Sequence, residues 1–285
     1  MKVTIAFDRL RWEEKELKKE ADAAGCETEL LDARPLALDI SKKRMTNNTF
    51  GDIVLQRCIS YYRSSFLTMI LENYGIRVIN STAVSDACGN KMITTMLLAK
   101  AGIPTPKTIV ALSADGVVPA GSIVGYPVVV KPFVGSWGRN ISMAKDEQTL
   151  GMIVELKESI PNPIEHMYYL QEYVKRPPRD IRVVVAGDEI VAAEYRNAPE
   201  NDWRTNVARG GTAAPLTPDK ELSEVVLKAA AAVGGGVLGV DAMESDDGYL
   251  IHEVNNTVEF HGAQAVSKTK IARKIMNYVV KSAKN

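Results

Sequence analysis

Short apolar runs alternate with longer stretches of helical spacing along the 285 residues. VTIAF (3–7) is a brief, unbroken apolar run of the kind a buried strand needs. WEEKELKKEADAAG (12–25) scatters its apolar positions among charges at helical intervals and ends in Gly25, a helix stop. ETELL, DIVLQR and RVIN (77–80) read as further strands, and SSFLTMILENYG (64–75) as a helix. Strand and helix alternate to about residue 85, which predicts a small parallel α/β layer.

The texture then changes. SDACGNKMITTMLLAKAG (85–102) predicts one helix, closed by Gly102 with Pro104 beyond it. TIVAL and YPVVVKPF follow as strands, then a glycine loop, GSWGRN, and a strand-like ISMA. A helix, QTLGMIVELKESI, stops near Pro161 and Pro163. MYYLQEYV reads as a strand, and RDIRVVVAGDEIVAAEYR as a hairpin turning at Gly187-Asp188. Residues 197–218 form a polar loop rich in Arg, Gly and Pro, a length that inside a compact domain is usually either functional or disordered. ELSEVVLKAAAAVG is helical, VLGVDAMES and GYLIHEVN make a second hairpin through Asp246-Asp247-Gly248, and a final helix covers roughly 267–283. No internal repeat interrupts this plan.

Composition narrows the function classes. Lys+Arg and Asp+Glu both total 35, so no net charge draws the chain to nucleic acid. No apolar run is long enough to span a bilayer, and MKVTIAFDRL meets charge at Asp8, reading as a strand rather than a signal peptide. Cys26, Cys58 and Cys88 are far apart and form no CxxC, which argues against disulfides or zinc and for a reducing cytoplasm. His166, His252 and His261 form no metal-ligand pattern, and no Ser-His-Asp or Cys-His arrangement is present.

Candidate chemistry gathers in three places. Lys131 emerges from an apolar strand four residues before Gly135, where a glycine loop can fold backbone N–H groups over an anion. A strand-end lysine snorkelling to water beside a plain turn is the competing reading, and Lys91 alone reads as a solvated helix lysine. Gln171 and Glu172 put polar side chains on a strand edge able to read a base, although a half-buried strand looks the same. Asp180 and Arg182 lie two apart on one strand, Arg196 ends its partner, and Arg204 and Arg209 follow in the polar loop. Converging arginines suit carboxylate or phosphate ligands, while each alone is an ordinary surface residue. Finally, Glu253 and Asn255 share a strand face, with Asp241 on the paired strand. Carboxylates plus an amide oxygen suit Mg²⁺ alongside nucleotide phosphates, or else form a solvated strand end.

In this order the pieces resemble the ATP-grasp superfamily, in the branch that joins amino acids to protein C-termini or side chains. NKMITT, VVVKPFVGSWGRN, QEYV, RDIRVVVAGDEIVAAEYR and HEVNNTVEF look most like the α-aminoadipate–LysW ligases of lysine synthesis, over essentially the whole chain. The resemblance implies an α/β N-terminal domain (1–85) followed by central (86–166) and C-terminal (167–285) α+β subdomains that grip ATP. It implies that Lys91 and Lys131 hold the phosphates under a lid of Gly135, Ser136, Trp137, Gly138 and Arg139. Gln171, Glu172 and Val174 would meet adenine, and Asp180 and Arg182 would lie near ribose and phosphates. Arg196 and Asn206 would sit near the γ-phosphate and, with Lys131, carry catalysis. Asp241, Glu253 and Asn255 would bind Mg²⁺. Asn256-Thr257 resembles a pair associated with α-aminoadipate selection, where the sister glutamate ligases carry Gly-Phe; Arg204 and Arg209 would complete the substrate side.

The implied reaction activates the terminal Glu carboxylate of an acidic carrier protein as an acyl phosphate, which the amino acid's amine then displaces. No residue of the sequence stands out as the base for that amine. Ligation of glutamate instead, to LysW in arginine synthesis or to a ribosomal-protein tail, is the neighbouring reading, and a non-catalytic nucleotide-binding regulator the distant one. A cytoplasmic dimer or tetramer acting on neither nucleic acid nor membrane is expected.

Overall fold

The computed structural model describes residues 1–42, 49–135, 137–205 and 210–284. Its first 80 or so residues build the expected parallel layer. Strands β1 (Lys2–Phe7), β2 (Glu27–Asp32), β3 (Ile53–Gln56) and β4 (Val78–Ile79) lie in the order β2-β1-β3-β4, all parallel. Helices α1 (Trp12–Ala23) and α2 (Tyr61–Asn73) connect them, so β1 and β3 are buried almost throughout, as covered parallel strands require. Helix α2 begins three residues earlier than the apolar spacing indicates.

The predicted helix over 85–102 is two helices. Helix α3 (Thr82–Gly89) ends where Asn90 leaves helical geometry, and α4 (Lys91–Lys100) starts at the next residue, with the Asn90 side chain accepting from the Met92 and Ile93 N–H groups. The break places Lys91 at a helix start rather than mid-helix.

A four-stranded antiparallel sheet follows, in the order β5-β8-β6-β7, made of β5 (Thr108–Ala111), β6 (Val128–Lys131), β7 (Ser142–Ala144) and β8 (Tyr168–Glu172). Helices α5 (Val117–Val124) and α6 (Glu147–Glu158) cover one face, burying Val117, Ala120, Val124 and Leu150 against Val128, Val130, Tyr168 and Leu170. The boundary at 166/167 that the resemblance implies therefore cuts this sheet. Strand β8 pairs with β5 and β6, and the central sheet runs through Glu172.

The largest sheet has the order β11-β10-β9-β12-β13: β9 (Arg179–Ala186), β10 (Glu189–Asn197), β11 (Thr212–Pro215), β12 (Val237–Ser245) and β13 (Gly248–Asn255). Both predicted hairpins are present, whereas β11 lies in the stretch read as loop. Period-two alternation gives the sheet two different faces. Ile181, Val183, Val185, Leu238, Val240 and Ala242 pack on α3, α4 and α7 (Lys220–Ala232). On the opposite face the strand ends at Val184, Ala186, Ala192 and Val237 lie under α8 (His261–Val266) and α9 (Ile271–Lys284). Helix α9 also packs on α1, and this joins the N-terminal layer to the C-terminal sheet. Farther along that face the apolar residues give way to Asp180, Arg182, Glu194 and Asp241, and the site begins there.

Candidate active site

Residues directly opposite in an antiparallel ladder share a face, so register alone assembles the floor of the site. Glu194 lies opposite Arg182, Arg182 opposite Asp241, and Asp241 opposite Glu253, one row across four strands. Arg196 and Asp180 form the next row. Between Asp241 and Ala242 the β12–β13 pairing slips by one residue, leaving His252 as the extra residue of a bulge. Above this floor is a cavity of about 590 Å³, walled on the other side by Lys91, Lys131 and residues of the glycine loop.

The metal-type residues are held by cations in the protein itself. Asp241 is buried and takes a two-pronged contact from Arg182, with Arg182 Nη2 at 2.8 Å from Oδ2, while Arg196 Nη2 lies 3.0 Å from the same oxygen. Arg196 also grips Asp180 through two bonds of 2.7 Å, and Thr205 donates to Asp180 at 2.5 Å. Burial works against the charge on Asp241, but Arg182 and Arg196 outweigh it and hold the carboxyl well below the usual carboxylate range. Burial likewise opposes charge on Glu253, and the attraction of Lys91 overcomes it, so this carboxyl is also held low. Both are ionised at neutral pH.

The two lysines converge from different elements. Lys91 donates to the Gly135 carbonyl at 2.8 Å and approaches Glu253 Oε1 at 3.4 Å. Lys131, 7% exposed, donates to Gln171 Oε1 at 2.5 Å. Burial lowers its pKa to about 8; Glu253 opposes the shift, and Lys91 and Arg176 add to it. A buried ammonium under that pressure gains on meeting an anion. His252 is pushed the same way, down to about 4, by burial and then Lys131, so near pH 7 it is a neutral imidazole 3.9 Å from Asp180.

Asp241, Glu253 and Asn255 fit a hard cation by donor type and by face. Asn255 lies near enough to donate weakly to Asp241 Oδ2, at 3.5 Å. Among the described residues no three His, Cys, Asp or Glu side chains are grouped to hold a metal unaided. Two carboxylates and one amide suit a metal that arrives with phosphate oxygens of its own.

Other sequence-based expectations divide. Trp137, Gly138 and Arg139 line the cavity with Gly135; the Trp137 indole N–H donates to Glu259 at 3.1 Å, and the Arg139 guanidinium stacks on its ring at 5.0 Å. Arg204 lines the cavity too, held by Asp202 and donating to the Gly138 carbonyl at 3.3 Å. Asn256 and Thr257 line its far end, where the Thr257 hydroxyl reaches the Cys58 carbonyl at 3.4 Å. Gln171, Glu172 and Val174 do not line it. The Gln171 amide is consumed by Lys131, Thr108 and Tyr169, and Glu172 accepts from the Lys107 N–H. Gln171 thus aims a lysine rather than reading a base. Ser136, Asn206 and Arg209 lie outside the described residues.

Sequence reasoning passed over several lining residues, Glu194, His252, Arg11 and Glu259 among them. Glu194 stands two before Arg196, and strand alternation alone puts both on one face. His252 was hidden by the bulge. Arg11 and Glu259, ion-paired at 3.0 Å, are 248 residues apart and left no local signal.

Comparison with known proteins accounts for the whole chain. The LysX preATP-grasp domain matches residues 3–87, and the RimK-like ATP-grasp domain matches residues 88–279. The α-aminoadipate–LysW ligase LysX of Saccharolobus solfataricus is 38% identical over 264 residues, covering 92% of this chain and 95% of the relative. The glutamate–LysW ligase ArgX of Sulfurisphaera tokodaii is 33% identical over 282 residues, 98% of each. Among solved structures, a RimK domain ATP-grasp protein from Sphaerobacter thermophilus superposes with a TM-score of 0.83 at 24% identity, over 98% of this chain and all of that one. D-alanine–D-alanine ligase of Bacillus anthracis, complexed with ATP, does so at 0.70 and 17%, over 100% and 98%. Two domain matches end to end, over a fold shared with these ligases, leave one assignment: the chain belongs to the RimK-like ATP-grasp family, with a LysX-type preATP-grasp domain, and is an ATP-dependent ligase.

Proposed function

We propose that this enzyme joins the α-amino group of α-aminoadipate to the side-chain carboxylate of the terminal glutamate of a LysW-type acidic carrier protein, through an acyl phosphate. The observation that carries this reading is the adjacency, in one cavity, of a phosphate-type end and a substrate end. Lys91, Lys131, Asp241 and Glu253 form the first, and Asn256 and Thr257, immediately beyond Asn255, form part of the second. Names of relatives support it: three curated α-aminoadipate–LysW ligases stand at 36–38% identity. Glutamate–LysW ligases at 33% make glutamate the second reading, either alone or accepted together with α-aminoadipate.

Asp241, Glu253 and Asn255 would hold Mg²⁺, which when bound supplies charge neutralisation between the phosphates. Lys91 and Lys131 then bind phosphate oxygens, Lys131 exchanging Gln171 Oε1 for an anion. Arg182 and Arg196, released in part from Asp241, are placed to meet charge on the transferring phosphoryl group. Trp137 and Arg139 over the mouth exclude water from an acyl phosphate. Among the described residues no helix is long and apolar enough to cross a membrane, which fits a cytoplasmic biosynthetic enzyme.

Mass spectrometry of the carrier after incubation with enzyme, ATP, Mg²⁺ and each amino acid tests the reading. A mass gain of one α-aminoadipyl unit, exceeding the glutamyl product in competition, is expected. A carrier left unmodified by both overturns it.

A further inference from the structure

Two side chains lining the cavity carry buried polar atoms without a hydrogen-bond partner among the described residues: both ring nitrogens of His252, and Oε2 of Glu194. His252 belongs to the metal end, beside Glu253. Glu194 does not. It is 3% exposed and stands two strands from Asp241 in the same row, roughly 10 Å away at ordinary strand spacing.

The cations beside Glu194 are engaged elsewhere. Arg182, directly opposite, gives its two prongs to Asp241, and Arg196 is divided between Asp180 and Asp241. The other carboxylates at this end also have donors. Glu259 has Arg11 and Trp137, and Glu13 accepts from the Phe260 and His261 N–H groups, each at 3.3 Å. Across from Glu194 the chain places Gly262, where a Cβ would come within 3.0 Å of Oε2. The missing side chain keeps that oxygen clear. A buried acceptor without a donor is costly, more so when charged, and a ligand bringing a cationic N–H relieves that cost.

We propose that Glu194 binds the α-ammonium of the acceptor amino acid and takes the proton that must leave before the nitrogen can attack. This rests on the acyl-phosphate reading above. The ammonium passes one proton to Oε2. The freed lone pair forms the C–N bond to the acyl carbon as the C–O bond to phosphate breaks. Phosphate departs with that electron pair and takes up the second proton lost by the nitrogen. Burial makes Glu194 a stronger proton acceptor than a free carboxylate, against the pull of Arg182 and Arg196 and with the push of Asp241 and Asp180. His261, beside Gly262 on α8, is a further titratable group lining the cavity. Glu194, Asn256 and Thr257 line the same cavity, so the amine contact and the choice of amino acid would fall within one pocket.

The test compares two nucleophiles on the full-length enzyme with MgATP and carrier. One is the amino acid, which must be bound as a cation and deprotonated. The other is hydroxylamine, uncharged near neutral pH, which traps an acyl phosphate as a hydroxamate without that service. In Glu194→Gln, an isosteric change that keeps the fold, the ratio of amino-acid ligation to hydroxamate formation falls roughly 10²-fold or more, and the KM for the amino acid rises. Glu194→Asp recovers part of the ratio, and the acidic limb of the amino-acid pH profile is lost only in the Gln variant. Equal loss with both nucleophiles means a structural role and overturns the proposal, as does no loss at all. If wild-type enzyme forms neither conjugate nor hydroxamate, the carrier-ligase reading fails first and the role of Glu194 falls with it.

Discussion

Lys131→Met is expected to stabilise the nucleotide-free enzyme while abolishing its response to nucleotide. Lys131 is 7% exposed, and burial moves its pKa from 10.5 to about 8. At 1.36 kcal/mol per unit, keeping it charged at pH 7 costs the native state about 3 kcal/mol. Met fills similar volume without charge but leaves Gln171 Oε1 without its 2.5 Å donor, a loss of about 1–3 kcal/mol. The variant should therefore gain up to about 2 kcal/mol by urea denaturation at pH 7. Its pH dependence carries the stronger check. Between pH 8 and 10.5 the unfolded chain holds the lysine proton more firmly than the native state, so wild-type stability rises relative to the variant through that window. The variant's advantage should be full below pH 8 and vanish, or reverse, near 10.5. Saturating MgATP should add about 3 kcal/mol to wild type at a hundredfold excess over Kd, and nothing comparable to the variant. An advantage that stays constant from pH 7 to 10.5, or a variant that ATP stabilises as well as wild type, would refute the buried-cation argument.

Three further outcomes follow from the geometry. Asp241→Asn leaves Arg182 and Arg196 without their shared anion, so it should cost about 3 kcal/mol in denaturation and abolish Mg²⁺-dependent ATP turnover; turnover at wild-type rate would remove Asp241 from the metal set. Asn80→Ala breaks three bonds of 2.7–2.8 Å to Val237 and Asn256, and should cost about 2–3 kcal/mol while raising the KM for the amino acid more than that for ATP. Gly236→Ala should act the same way from the opposite side, because its Cβ would fall 2.0 Å from Asn80 Oδ1 at a backbone φ of +109°; a variant as stable as wild type would show that Asn80 does not hold there.

Local pattern made some of this legible and non-local pairing hid the rest. Glu253 and Asn255 were readable as one pair because strand alternation gives them a common face, but a regular two-residue turn would set Asp241 opposite His252, and only the bulge brings Asp241 opposite Glu253. Nothing in GYLIHEVN announces that bulge, so His252 escaped. Asn90 after Gly89 was a stop and start written in the sequence, masked by the helical spacing on both sides. Helix α5 was obscured by Pro119 and Gly121. Yet a proline in the first turn is tolerated, and the missing Cβ at 121 admits Leu150. Strand β8 was credited to the wrong subdomain because its partners are 40 to 60 residues earlier in sequence. Gln171 looked free to read a base only because its lysine and threonine partners arrive from the neighbouring strands β6 and β5.

The segment 256–261 is fastened mainly by the N-terminal layer. Asn80 takes the Asn256 carbonyl, the Cys58 carbonyl takes the Thr257 hydroxyl, Arg11 takes Glu259, and Glu13 takes the N–H groups of Phe260 and His261. The N-terminal layer is thus not an interchangeable module. A chimera carrying the first 87 residues of another family member would keep Lys91, Lys131, Asp241, Glu253 and Asn255, yet displace the segment proposed to bind the amino acid. Changes in substrate preference within such a lineage would then require paired substitutions on the two sides of this seam, one in the loops after β1 and β3 and one beyond β13.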